Sequence, residues 1–183
     1  MGANVILVGF MGAGKSSVGR LLARRLGRCF VETDDMITAR EGRSIPEIFA
    51  ERGEAHFRAL EEEAVRLLAL KSGEVIATGG GLCCREGRPE ALKALGTLVW
   101  LRGDFDALYE RARRAGERPM LTGRGRDDVE ALYRAREPYY RQADITVETT
   151  GIGLEQVVAR VISALHDRPA LSPAAKGQGE GPE

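Results

Sequence analysis

Asn4-Val5-Ile6-Leu7-Val8-Gly9-Phe10-Met11-Gly12-Ala13-Gly14-Lys15-Ser16 decides the fold. The apolar run ending at Gly9 shows no polar alternation, which suits a short central strand buried on both faces. After the glycine-rich stretch, Val18, Leu21, Leu22 and Leu26 recur at helical spacing, and Gly27 supplies a stop. The unit is therefore strand, tight loop, helix. Further along, Cys29–Val31, Glu74–Thr78, Thr97–Leu101 and Ile145–Val147 have strand character. Helical patterns separate them: one through Ile37, one opened by Ser44-Ile45-Pro46-Glu47, one from about Glu54 to Leu70, then Phe105–Arg114, Val129–Tyr140 and Leu154–Leu165. Ser44 with Glu47 has the form of a capping box, with proline early in the helix. Strands alternating with helices predict an α/β domain whose parallel sheet is covered on both faces.

Gly9 to Ser16 fits the pattern glycine, four residues, Gly-Lys-Ser. Its glycines can take positive φ and bring backbone N–H groups close to a phosphate, while the following helix points its positive dipole end at the same spot. Lys15 can reach the β- and γ-phosphates, and the Ser16 hydroxyl can ligate Mg2+. A nucleotide-binding phosphotransferase is the reading this supports. A switch GTPase would carry an Asn-Lys-x-Asp motif, and Asn4 is the only asparagine of the chain. One small domain also leaves little room for the coupling modules of a mechanical ATPase.

A kinase must hold an acceptor hydroxyl in line with the γ-phosphate, usually beside a carboxylate. Glu32-Thr33-Asp34-Asp35 follows the second strand at its carboxyl end, where open parallel sheets place their ligands. Thr33 or Asp34 could equally be plain helix caps. Gly79-Gly80-Gly81 follows the third strand at the same end. It is either a flexible connection or a place where missing side chains let backbone N–H groups press on a ligand. Arg58 and Arg136, taken singly, have the composition of ordinary solvated arginines.

Basic and acidic residues balance at 27 each, so no global field draws in nucleic acid or an anionic membrane. Cys29, Cys83 and Cys84 form no C-x-x-C pair, and His56 and His166 are the only histidines, which argues against a zinc site or a disulfide framework. No window approaches the apolar length of a bilayer span, and the first residues have no basic leader. A cytoplasmic monomer without nucleic-acid or membrane partners is the expectation. Residues 1–168 are read as one domain. Within it, 115–128 is a glycine- and arginine-rich mobile loop, and 169–183 is a Pro/Gly/Ala-rich disordered tail.

The motifs together carry a resemblance. Gly9-Phe10-Met11-Gly12-Ala13-Gly14-Lys15-Ser16 resembles the Gly-x-Met-Gly-x-Gly-Lys-Ser form of shikimate kinases. Gly42-Arg43-Ser44-Ile45, Ile48-Phe49, Gly53-Glu54 and Phe57-Arg58 with Glu61 are similar to that family's substrate-region signature. Thr78-Gly79-Gly80-Gly81, Arg118-Pro119, and Arg136 ahead of Pro138-Tyr139-Tyr140 complete it, across about residues 4 to 165.

The resemblance implies a three-layer, nucleoside-monophosphate-kinase-like P-loop fold with a five-stranded parallel sheet, a substrate region at about 32–62 and a mobile lid at 115–128. It implies ATP and Mg2+ as cofactors and shikimate as the substrate phosphorylated on its 3-hydroxyl. By the same carry-over, Gly12, Ala13, Gly14, Lys15, Ser16 and Ser17 hold the ATP phosphates, Ser16 the metal, and Arg118 closes on the phosphates, with Arg111 a further candidate. Asp34, Arg58, Gly79, Gly80, Gly81 and Arg136 bind shikimate, the arginines through its carboxylate. Lys15, Asp34 and Arg118 are the catalytic set, Asp34 orienting or deprotonating the hydroxyl. Two departures stand out. Glu32 replaces the family's usual aspartate, and the Thr149–Gly153 loop lacks the arginine often found near adenine, so no adenine-binding side chain is assigned. A gluconate kinase or another small-molecule P-loop kinase, and a nucleotide-binding regulator without turnover, are the competing readings.

Overall fold

The computed structural model describes residues 3–114 and 123–168. The apolar run becomes β1 (Asn4–Val8), every residue of which is buried. The helix behind the glycine loop is α1 (Lys15–Leu26), closed by Gly27 in the left-handed conformation. Then follow β2 (Phe30–Glu32), α2 (Thr33–Glu41), α3 (Ile45–Leu68), β3 (Val75–Ala77), α4 (Arg88–Lys93), β4 (Gly96–Arg102), α5 (Phe105–Arg114), α6 (Arg126–Tyr140), β5 (Ile145–Glu148) and α7 (Leu154–His166). The five strands are parallel in the order β2-β3-β1-β4-β5, with β1 in the middle. From β1 the chain crosses to the far edge at β2, returns to β3, then passes to the other side at β4. The reversal opens a crevice at the carboxyl end of β1, the usual ligand position in such sheets.

The main core packs both faces of the sheet: Ile6, Leu7, Leu22, Ile76, Leu98, Leu101 and Tyr140 are almost fully buried. A second, smaller cluster of Ile37, Ile48, Phe57, Leu60 and Ala64 knits α2 to α3. That region thereby has its own apolar support beside the sheet. Within α3, Gly53 (φ 77°, ψ 175°) breaks the helix, so the two separately expected helices are joined end to end across a kink. The Glu47 carboxylate accepts the Ser44 backbone N–H at 2.7 Å, as the capping pattern predicts.

Two expectations need correction. The short helix α4 is not foreseen, because six residues after Gly87 carry too little periodicity. The glycine- and arginine-rich loop is shorter than 115–128: α6 already begins at Arg126. Arg126 pairs with Asp106 of α5 and, at 3.1 Å, with Glu130 one turn on. The Gly125 N–H donates to Asp128 Oδ2 at 3.2 Å, a local cap that opens the helix here. Residues 115–122 of the expected lid and the expected tail, 169–183, lie outside the described residues.

Candidate active site

The glycine loop wraps the carboxyl end of β1. Gly14 opens α1 with φ 82°, and Gly12 has φ 78°. A Cβ at Gly12 would lie 2.1 Å from the Leu108 carbonyl oxygen, so the loop is pinned beneath α5 by a contact only glycine allows. Ala13 is buried, whereas Ser17 in the first turn is exposed. Lys15 curls back over the loop, its Nζ donating to the carbonyls of Gly9 (2.8 Å) and Phe10 (3.2 Å). The cation is thus held above the backbone amides that would face a phosphate.

Ser16 and Glu32 meet across the loop: the Ser16 hydroxyl donates to Glu32 Oε1. Arg20 of α1 steadies the other carboxylate oxygen at 3.2 Å. Ser16 and Glu32 supply hard oxygen donors, suited to Mg2+. Among the described residues no cluster of three His, Cys, Asp or Glu side chains could hold a metal alone. An ion here would be completed by nucleotide oxygens and water, as Mg2+ prefers. The residues fit the ion.

Neither Thr33 nor Asp34 is a helix cap. Glu32 occupies the cap position without a side-chain cap bond, and the Thr33 hydroxyl instead accepts the Gly79 N–H at 2.9 Å. That bond ties β2's end to the triglycine turn. Asp34 lies so close that a Cβ on Gly79 would come 2.5 Å from its Oδ1. Burial pushes the Asp34 carboxyl above its ordinary range; Lys15 opposes the shift, while Glu61, Glu32 and Asp35 add to it. A carboxylate so placed is a stronger base than a solvated one.

The two arginines converge on Gly81. A Cβ on Gly81 would meet Arg136 Nη2 at 3.2 Å and Arg58 Nη1 at 3.6 Å. Arg58 is bound by Glu54 (2.8 Å) and by Glu61 (2.8 Å), the latter only 2 % exposed. Arg136 lies over the Phe10 ring at 5.9 Å, and among the described residues no carboxylate pairs with it. The site therefore holds, beside backbone without side chains, one guanidinium fixed by carboxylates and one with no carboxylate partner among the described residues. Planar bidentate donors so arranged suit a carboxylate.

The structure thus gathers Lys15, Ser16, Asp34, Arg58, Gly79, Gly80, Gly81 and Arg136 at one end of the sheet. Arg118 lies outside the described residues. Arg111 is turned to the β5–α7 loop, donating to the Thr149 carbonyl (2.8 Å) and, at 3.3 Å, to its hydroxyl. Sequence reasoning missed Thr33 as a loop anchor and Arg85, which donates to Glu61 at 3.3 Å alongside Arg58. The Arg58–Glu61 spacing of three on a helix could have signalled its pair; Arg85, 24 residues away in the chain, gave no such signal.

Comparison with known proteins agrees with this geometry. The family model for shikimate kinase matches residues 11–166. A shikimate kinase of Symbiobacterium thermophilum is 45 % identical over 90 % of this chain and 97 % of its own length. One of Moorella thermoacetica is 44 % identical over 90 % and 95 %. Among solved structures, the shikimate kinase from Acinetobacter baumannii in complex with shikimate superposes with a TM-score of 0.85 at 34 % identity, covering 91 % of this chain and 94 % of that one. A gluconokinase from Sinorhizobium meliloti reaches a TM-score of 0.52 at 18 % identity, a likeness of fold alone. With motifs, fold and near full-length identity in agreement, the chain belongs to the shikimate kinase family.

Proposed function

We propose that this chain transfers the γ-phosphoryl group of ATP to the 3-hydroxyl of shikimate, yielding shikimate 3-phosphate and ADP. The observation that carries this reading is Gly81, with Arg58 and Arg136 within 3.6 Å of its Cβ position, next to an Asp34 packed on Gly79. A small hydroxylated carboxylic acid fits there: its carboxylate between the guanidiniums, its hydroxyl turned to Asp34. The loop amides and Lys15 neutralise the phosphates, and Mg2+ held by Ser16, with Glu32 behind it, would offset charge on the β- and γ-oxygens. Lys15 leaves the Gly9 and Phe10 carbonyls for the phosphate oxygens. As the acceptor oxygen bonds to phosphorus, its proton passes to the Asp34 carboxylate, and the bond to the ADP oxygen breaks. Arg118 is carried as a phosphate ligand on resemblance alone.

A monomer is the working unit of this proposal. Among the described residues Cys29, Cys83 and Cys84 are free thiols, in keeping with a reducing cytoplasm. None of the described helices is long and apolar enough to cross a membrane, and the balanced charge offers nothing to nucleic acid. A coupled ADP-release assay with shikimate, gluconate and nucleoside monophosphates in parallel tests the function. Turnover with shikimate alone is expected; faster turnover of another acceptor overturns the assignment.

A further inference from the structure

Gly79 to Leu82 is a four-residue turn closed by the Leu82 N–H donating to the Gly79 carbonyl at 3.2 Å. Its corner is the Gly80–Gly81 peptide. In such a turn the corner peptide chooses between two faces: type I keeps φ negative at both corner residues, while type II flips the peptide and needs positive φ at the second. With glycine at both corners the flip meets no steric barrier from a side chain. Yet neither Gly80 nor Gly81 has positive φ. The turn is of the type I class, one of the two arrangements open to a Gly-Gly corner.

The Gly80 carbonyl accepts a 2.5 Å hydrogen bond from the Tyr140 hydroxyl, and the Cys84 thiol approaches the same oxygen at 3.6 Å. Tyr140 has no exposed surface and stacks on Trp100 of β4, ring centroids 6.1 Å apart. It is thus fixed by the core, not by the turn. Tyr140 also lies one helical turn after Arg136 on α6, so one short rigid segment carries both the guanidinium and the bolt.

We propose that Tyr140 is a positioning residue of the substrate site: by holding the Gly80 carbonyl inward, it fixes the face that the Gly80–Gly81 peptide turns to the substrate carboxylate. A trans peptide points its N–H opposite to its C=O, so a carbonyl held toward Tyr140 turns the Gly81 N–H away from the core, as a donor to an anion. The flipped peptide would put a carbonyl oxygen there instead and repel the same anion. Burial drives the Tyr140 phenol well above its usual range, with the neighbouring Cys84 adding to the shift. The hydroxyl therefore stays a donor throughout the working pH range.

The inference rests on the shikimate-site reading, and Tyr140→Phe tests it while keeping the ring on Trp100. Losing one well-formed bond to a buried carbonyl corresponds to about a tenfold rise in shikimate KM, with ATP KM changed less than about twofold. A merely structural role predicts the opposite pattern, a lower Tm with both KM values unchanged or shifted together, and that result overturns the proposal. Trp100→Phe serves as the packing control. It disturbs the same stack without removing the hydroxyl and is expected to lower Tm while shikimate KM stays within about twofold. A shikimate-specific rise in Trp100→Phe equal to that of Tyr140→Phe likewise assigns the effect to packing and refutes the bolt. Wild-type enzyme without shikimate turnover sinks the site reading itself; an active wild type with an unaltered Tyr140→Phe sinks only this inference.

Discussion

Gly79→Ala isolates the contact between the triglycine turn and the base. The new methyl would sit 2.5 Å from Asp34 Oδ1, 3.3 Å from its carboxyl carbon and 3.4 Å from Oδ2. Ordinary contact begins at 3.4 Å, so Oδ1 has to withdraw by about 0.9 Å. Misplacing a catalytic group by about 1 Å costs on the order of 10²-fold in rate, or about 2.7 kcal/mol of barrier. The backbone does not demand glycine here, because Gly79 has no positive φ. The variant is therefore expected to fold and to bind ATP normally, with kcat down by about 10²-fold. Gly80→Ala is the internal comparison: its methyl would meet nothing nearer than 3.6 Å in the unliganded site. Any loss there reports crowding of the substrate, not displacement of Asp34. Steady-state kinetics and thermal melts of both variants are the assay. A Gly79→Ala enzyme with kcat within about threefold of wild type would refute the placement of Asp34 as the base.

Lys15→Ala should leave the fold intact and lower kcat by about 10²–10³-fold, the range for losing a preorganised charge at the transition state; a folded variant with near-normal kcat refutes the phosphate role. Arg58→Ala and Arg136→Ala should each raise shikimate KM by about 2–5 kcal/mol of lost binding. Only Arg58→Ala should also lower Tm, because it strips a partner from buried Glu61, whereas Arg136 has no carboxylate partner among the described residues; an unchanged shikimate KM in both variants removes the clamp. Asp34→Asn should abolish most turnover yet melt higher than wild type at pH 7. The folded state raises this carboxyl's pKa, so it binds the proton more tightly than the unfolded chain, and stability is lost as pH rises through the raised value. Asparagine escapes that penalty, and its advantage should fade below the ordinary value of 3.8; an equal or lower Tm at pH 7 contradicts the buried, destabilised carboxylate.

The sequence by itself determined the strand–loop–helix unit, the parallel α/β class and most elements, because apolar periodicity and glycine placement are local properties of the chain. It also pointed to Lys15 and Ser16 as the phosphate and metal candidates, since that motif is one contiguous loop. The six residues of α4 and the true start of α6 escaped it: the first is too short for a period, and the second is set by Gly125 capped through Asp128, polar residues outside the apolar pattern. The roles of Thr33 and Asp34 were open between cap and site, and a contact with Gly79, 46 positions away, closed the question for Thr33. Likewise Glu61 could not be known to bind both Arg58 and Arg85, nor Tyr140 to bolt Gly80 across 60 positions. Those assignments belong to the tertiary structure alone. Hydrogen bonds and ion pairs form between whatever groups the packed sheet brings within about 3 Å, and nothing in the local chain encodes which distant group that will be.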